Sequence, residues 1–160
     1  MGNFSSEDER MMRAAMAEAA MALADGEVPV GAVIVSKGRI IAKGHNMTDQ
    51  LHDPTAHAEL LCMRHGAEQK GDWRLNDCTL YVTLEPCPMC AGAMVMSRVG
   101  RCVFGAGDPE KGCCGSVYDL PADPALHSRT RWRHDTAYER ECKALLESFF
   151  QGRREDASGS

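Results

Sequence analysis

Met12, Ala15, Met16, Ala19 and Leu23 recur at helical spacing and predict a helix over residues 7–24. Ser6, with Glu9 three residues later, reads as a capping box at its start. At that spacing the methionines of this segment fill a core rather than form a binding face. Residues 28–35 are short, β-branched and apolar, hence a strand. Pro29 stands near its start, where a lost donor matters least. Ser36-Lys37-Gly38-Arg39 turns the chain, and residues 40–43 pair back as a hairpin. Residues 44–53 read as a polar loop. Asp53-Pro54-Thr55 opens a second helix that continues over residues 56–68, with Pro in the first turn. Residues 79–83 form a strand, Glu85-Pro86 opens a third helix reaching residue 97, and residues 101–105 form another strand. Residues 106–125, rich in Gly, Asp and Pro, read as loop. A last strand is expected over 129–134. A final helix is expected over 138–150, with Leu145, Leu146, Phe149 and Phe150 on one side. Strands alternating with helices after an initial hairpin predict an α/β fold: antiparallel at first, then parallel. Residues 1–152 form a single domain in this reading, and residues 153–160 a polar, disordered tail.

Composition narrows the classes. The chain has 160 residues, 44% hydrophobic and 26% charged, as expected of a globular domain rather than a disordered chain. Eighteen Lys and Arg against 23 Asp and Glu leave a net charge of −5, which excludes a wholesale basic coat but not a local basic patch. Arg129, Arg131 and Arg133 alternate around Trp132. On a strand they share one face, either as a positive strip for nucleic acid or as a charged edge that deters aggregation. No apolar run approaches the roughly 18 residues that span a bilayer. The first ten residues carry Glu7, Asp8 and Glu9 and no apolar stretch of the secretory kind. Eight cysteines without such a signal read as reduced thiols in the cytoplasm.

Among those cysteines, Cys87 and Cys90 have ligand-like spacing, and both fall in the first turn of a predicted helix. His57-Ala58-Glu59 falls in the first turn of another. One imidazole and two thiolates are good zinc ligands and leave a fourth tetrahedral position open. Helix N-termini favour anions, which helps hold thiolates. Glu59 is then placed as general base and general acid rather than as a ligand. Three other readings stand beside this one. A fourth cysteine such as Cys62 or Cys113 closes a structural site; Cys87 and Cys90 form a redox pair; or zinc stabilises an RNA-binding module without turnover. His45, His52, His65, His127 and His134 read as loop or surface residues. His-x-Glu followed by Pro-Cys-x-x-Cys is the pattern of zinc nucleobase deaminases.

The sequence resembles the bacterial tRNA adenosine deaminases, which convert the wobble adenosine of an anticodon to inosine. The matching stretches are Glu27-Val28-Pro29-Val30-Gly31-Ala32, Gly44-His45-Asn46, Asp53-Pro54-Thr55-Ala56-His57-Ala58-Glu59, and the block Leu80-Tyr81-Val82-Thr83-Leu84-Glu85-Pro86-Cys87-Pro88-Met89-Cys90-Ala91-Gly92-Ala93. Further matches are Ser97-Arg98, Phe104-Gly105-Ala106, Asp108, Gly115-Ser116, Leu145-Leu146 and Phe149-Phe150. The resemblance implies a three-layer α/β/α cytidine-deaminase-like fold around a mixed sheet of about five strands. It implies a cytoplasmic homodimer with one zinc per subunit, held by His57, Cys87 and Cys90, and Glu59 as proton shuttle. Asn46 would bind the adenine edge, beside Val28, Pro29, Ala58 and Leu84. Ala106 and Asp108 match the loop against the sugar-phosphate; Phe149, with Arg153 and Arg154 after it, matches the helix that holds the anticodon stem-loop. Related reactions share this chemistry: deamination of free guanine or cytosine, or of adenine in single-stranded DNA. The chain departs from the family at Ala125-Leu126-His127-Ser128, where an Asn-His pair is usual, and at the arginine-rich segment after it.

Overall fold

The computed structural model describes residues 5–158. Helix α1 (Ser6–Ala24) is capped by Ser5, whose hydroxyl accepts from Asp8 N at 3.0 Å. The cap therefore lies one residue before the predicted Ser6. The shift places Asp8 where it turns inward: Tyr81 Oη donates to Asp8 Oδ1 at 2.5 Å, and Arg101 Nη2 donates to Oδ2 at 3.0 Å. The hairpin is β1 (Gly31–Ser36) with β2 (Arg39–His45), followed by a short helix α2 (Thr48–Leu51) inside the predicted loop. Helix α3 (Ala58–Lys70), strand β3 (Cys78–Leu84), helix α4 (Pro88–Met96) and strand β4 (Arg101–Ala106) follow. Strand β5 (Arg131–His134) and helix α5 (Glu139–Ser158) complete the order.

The sheet runs β2-β1-β3-β4-β5. β1 is antiparallel to both β2 and β3, whereas β4 is parallel to β3 and β5 to β4. Alternation along the strands sorts the core into two layers. Ala32, Ile34, Leu80, Val82 and Phe104 face α3 and α4 through Cys62, Met63 and Met94. Val33, Val35, Tyr81 and Val103 face α1 and α5 through Met11, Met12, Ala15 and Cys142. This is the expected three-layer α/β/α sandwich with a mixed five-stranded sheet. Gly31 pairs with His45, Ala32 with Val82, and Leu84 with Ala106. The start of β1 and the ends of β2, β3 and β4 therefore meet at one end of the sheet, where open α/β sheets bind their ligands.

Two expectations are corrected. Residues 153–158 continue α5 where a disordered tail was expected, and residues 159–160 of that tail lie outside the described residues. Arg153 stacks on the Phe149 ring one turn back at 4.8 Å and reaches Asp49 Oδ2 at 3.4 Å, which ties the extension down. The three-arginine strip also does not form. Thr130 Oγ1 donates to Val99 O at 2.6 Å and anchors the chain before β5 starts, so Arg129 stays outside the strand. Trp132 turns inward, against Phe104 and with its indole N–H on Asp119 Oδ1.

Candidate active site

Both helices that carry the candidate ligands begin later than predicted. His57 is the N-cap of α3 and Cys87 the N-cap of α4, each with extended backbone dihedrals. An N-cap side chain ordinarily bonds to the first turn's amides. Neither His57 nor Cys87 does, so both side chains turn away from their own helix and toward each other. Pro88 opens α4, where its missing N–H is no loss, and Cys90 stands in the same first turn.

His57 Nδ1 lies 3.6 Å from Cys87 Sγ and 3.6 Å from Cys90 Sγ, and the three donor atoms lie within 4.8 Å of one another. Zinc bonds of about 2.3 Å to sulfur and 2.0–2.1 Å to nitrogen, at the tetrahedral angle, put S and N about 3.6 Å apart. The donor set therefore fits zinc. It stops at three among the described residues. Cys62 Sγ instead turns to Ala42 O and Cys113 Sγ to Lys111 O, so neither closes the site. Cys87 is the natural thiolate of the pair. The Cys90 thiol donating to it, with His57 beyond, outweighs burial and brings Cys87 down to about 4, while the same contact pushes Cys90 up. A dication takes both as thiolates by displacing the remaining proton.

Glu59, in the first turn of α3, is 4% exposed and faces the same cleft. Burial pushes its carboxyl up to about 7, the range in which one group both accepts and returns a proton near neutrality. The cleft holds about 540 Å³. Val28, Val30 and Leu84 give it an apolar lining, Asn46 and Thr48 a polar one, and residues 107–111 of the loop after β4 line it too. Lys143, Leu146, Glu147 and Phe150 of α5 complete the lining. Asn46 is 7% exposed, and its Oδ1 is buried without a hydrogen-bond partner.

Of the sequence-predicted residues, His57, Ala58, Glu59 and Cys87 line the cleft together with Val28, Asn46, Leu84 and Asp108. Cys90 lies fully buried behind it. Pro29, Ala106 and Phe149 are not on its wall. Ala106 is buried at the end of β4, where its carbonyl accepts from Glu85 N at 2.8 Å. Phe149 is 8% exposed and turned inward, leaving Phe150, 50% exposed, to line the cleft.

Sequence reasoning missed Val30, Thr48, Glu85, Lys111 and Leu146. Val30 precedes β1 in a tight turn, its N–H donating to Val28 O at 2.9 Å, so strand alternation from Val28 does not place it. Thr48 stands where Glu27, fully buried, accepts from Asp49 N at 3.1 Å and Gln50 N at 2.8 Å and so caps α2. Burial opposes ionisation of Glu85, but the Ser116 hydroxyl and three backbone N–H groups outweigh it and hold the carboxyl below its usual value.

A three-donor zinc cluster with a buried carboxylate in the same cleft is the equipment of a hydrolytic zinc deaminase acting on a nucleobase. The zinc-binding region of cytidine and deoxycytidylate deaminases matches residues 5–106. The tRNA-specific adenosine deaminase of Bacillus subtilis (strain 168) is 44% identical over 146 residues, 91% of this chain and 90% of that protein. That of Haemophilus influenzae is 47% identical over 150 residues, 93% of this chain and 86% of that protein. A structure solved in a study of A-to-I editing by tRNA:A34 deaminases at the wobble position superimposes with a TM-score of 0.82 at 40% identity, covering 86% of this chain and 99% of that one. A guanine deaminase of Bacillus subtilis superimposes less fully, with a TM-score of 0.60 over 62% of this chain and 64% of that one. The chain belongs to the tRNA-specific adenosine deaminases, within the cytidine and deoxycytidylate deaminase family.

Proposed function

We propose that this protein hydrolyses the wobble adenosine of a tRNA anticodon to inosine, releasing ammonia, and that it works in the cytoplasm as a homodimer with its active site in a single domain. The observation that carries the reading is the cluster of His57, Cys87 and Cys90 in one cleft with buried Glu59 and the unpartnered amide oxygen of Asn46. Zinc held by those three residues supplies the Lewis acidity that makes a water molecule nucleophilic at neutral pH. Glu59 takes one proton from the water and gives it to the ring nitrogen of the adenine as C6 gains the oxygen; it then takes the remaining proton of that oxygen and passes it to the amine, which leaves as ammonia and leaves the C6 carbonyl of inosine. Asn46 offers both a donor and an acceptor to the edge of the base. Val28, Val30 and Leu84 receive its faces.

The target C6 is out of reach inside a base stack, so the nucleotide must be extruded, and a loop base is the least costly to extract. Support for a polynucleotide comes from the exposed Phe150 ring, which suits stacking, and from Lys111, which suits a flanking phosphate; Lys143 already pairs with Glu139, and Glu110 and Glu147 line the same cleft. Eight free cysteines agree with a reducing compartment. The homodimer rests on likeness to the family, and light scattering of the purified protein tests it. The deamination itself is tested by incubating the zinc-loaded protein with an anticodon stem-loop in RNA and DNA versions, and with free guanine and cytosine. Inosine from the RNA loop is expected. Turnover of the free bases alone contradicts the reading.

A further inference from the structure

Glu85 follows β3 directly and lines the cleft two residues ahead of Cys87. Its Oε1 accepts from Asp108 N at 3.0 Å and from the Ser116 hydroxyl at 2.5 Å. Its Oε2 accepts from Cys114 N at 2.9 Å and Ser116 N at 3.1 Å. Both oxygens are therefore used twice by one loop. Gly112 presses against the carboxylate, and a Cβ there would stand 2.3 Å from Glu85 Cδ. Cys113 N adds a bond to Pro86 O at 2.8 Å. The loop wraps the end of this one side chain, and beyond an isolated bridge between Cys114 and Asp119 it has no sheet pairing of its own. Its first residues, Asp108 and Lys111 among them, line the same cleft as Asn46 and Glu59.

A buried carboxylate is costly to desolvate, but here four donors offset that cost, and an apolar residue in its place would leave them unpaired. What the carboxylate adds is direction: four donors fixed on two oxygens set the loop's height relative to the strand that leads into Cys87. We propose that Glu85 is a positioning residue, holding the 107–112 wall in register with the ligand-bearing segment so that the nucleotide carrying the reacting base is seated over the metal site. The proposal rests on the function proposed above.

The test compares Glu85→Gln, Glu85→Asp and Gly112→Ala. Gln turns an NH₂ group against two of the donors; Gly112→Ala displaces the carboxylate without removing it. Three readouts are taken: zinc per chain, amide hydrogen exchange over residues 107–116, and steady-state kinetics on an anticodon stem-loop. Zinc content is expected to stay at one per chain in all three variants. Exchange of the Asp108, Cys114 and Ser116 amides is expected to quicken in Glu85→Gln and Gly112→Ala. In both, kcat/KM falls about tenfold to a hundredfold, mainly through KM, as displacement of a substrate-positioning element does. Glu85→Asp recovers part of the loss. Unchanged exchange, or faster exchange with unchanged KM, overturns the proposal, as does a loss confined to zinc content and kcat. Should Glu85→Gln not fold, Gly112→Ala carries the same comparison. If the unsubstituted protein makes no inosine, the proposed function fails, while hydrogen exchange still reports whether Glu85 holds the loop.

Discussion

Gly44 of β2 lies against Ala58, the first residue of α3, so closely that a Cβ on Gly44 would stand 2.7 Å from the Ala58 carbonyl oxygen and 3.1 Å from Cys62 N. Those atoms are helix backbone and give way only if the helix moves. The start of α3 carries His57 and Glu59, so the contact sets the height of both above the sheet. Gly44→Ala is expected to destabilise the protein by about 1–3 kcal/mol through overpacking, and to lower turnover by more than the unfolded fraction explains. A urea melt with parallel kinetics checks this; an unchanged midpoint and rate contradict it.

Glu59→Gln removes the proton carrier and leaves the three donors in place. Zinc content is expected to remain at one per chain while kcat falls by about 10²–10⁴, the range typical of general acid–base groups. Metal analysis on the same preparation as the kinetics separates the two. A near-normal kcat contradicts the shuttle.

Cys87→Ala is expected to lose zinc and activity together. Chelation of the unsubstituted protein should also lower its melting temperature, because a metal that binds the native state stabilises it by mass action. Retention of stoichiometric zinc in Cys87→Ala would contradict the ligand assignment.

Asp8, buried between α1 and the sheet, ties stability to pH. Burial alone would raise its pKa, but the Arg101 guanidinium and the Tyr81 hydroxyl hold it below the ordinary 3.8. A carboxyl depressed in the folded state contributes stability above its unfolded pKa and loses it as the pH falls through the folded one. Asp8→Asn should therefore cost about 1–3 kcal/mol near pH 7. The deficit should shrink as the pH falls below about 4. Denaturant melts of both proteins across that range check the sign. A deficit independent of pH would assign the effect to packing.

The metal site was legible because its chemistry is contiguous: His57 and Glu59 in one short run, Cys87 and Cys90 in another, each opening a helix. The apolar β-branched run before the hairpin was equally local, but which layer Val33 and Ile34 each enter was not, because both are buried. What the chain did not disclose depends on tertiary approach. Phe149 and Phe150 are adjacent and alike, and the rotation of α5 against the sheet decides which one faces the cleft. Glu85 reads as part of the Pro-Cys block, yet its partners lie 23 to 31 residues further on. Periodicity placed Arg129 on a strand that Thr130 prevents from starting there. The cap at Ser5 rather than Ser6 goes with Asp8 turning inward to Tyr81 and Arg101, partners 73 and 93 residues further on.

Position within the tRNA is the most direct test of the account. Total tRNA is incubated with the zinc-loaded protein and sequenced by reverse transcription, in which inosine reads as guanosine. Conversion confined to adenosine at the first anticodon position, absent with Glu59→Gln, is the predicted result. Conversion scattered among other adenosines, or none while free guanine is consumed, would contradict it.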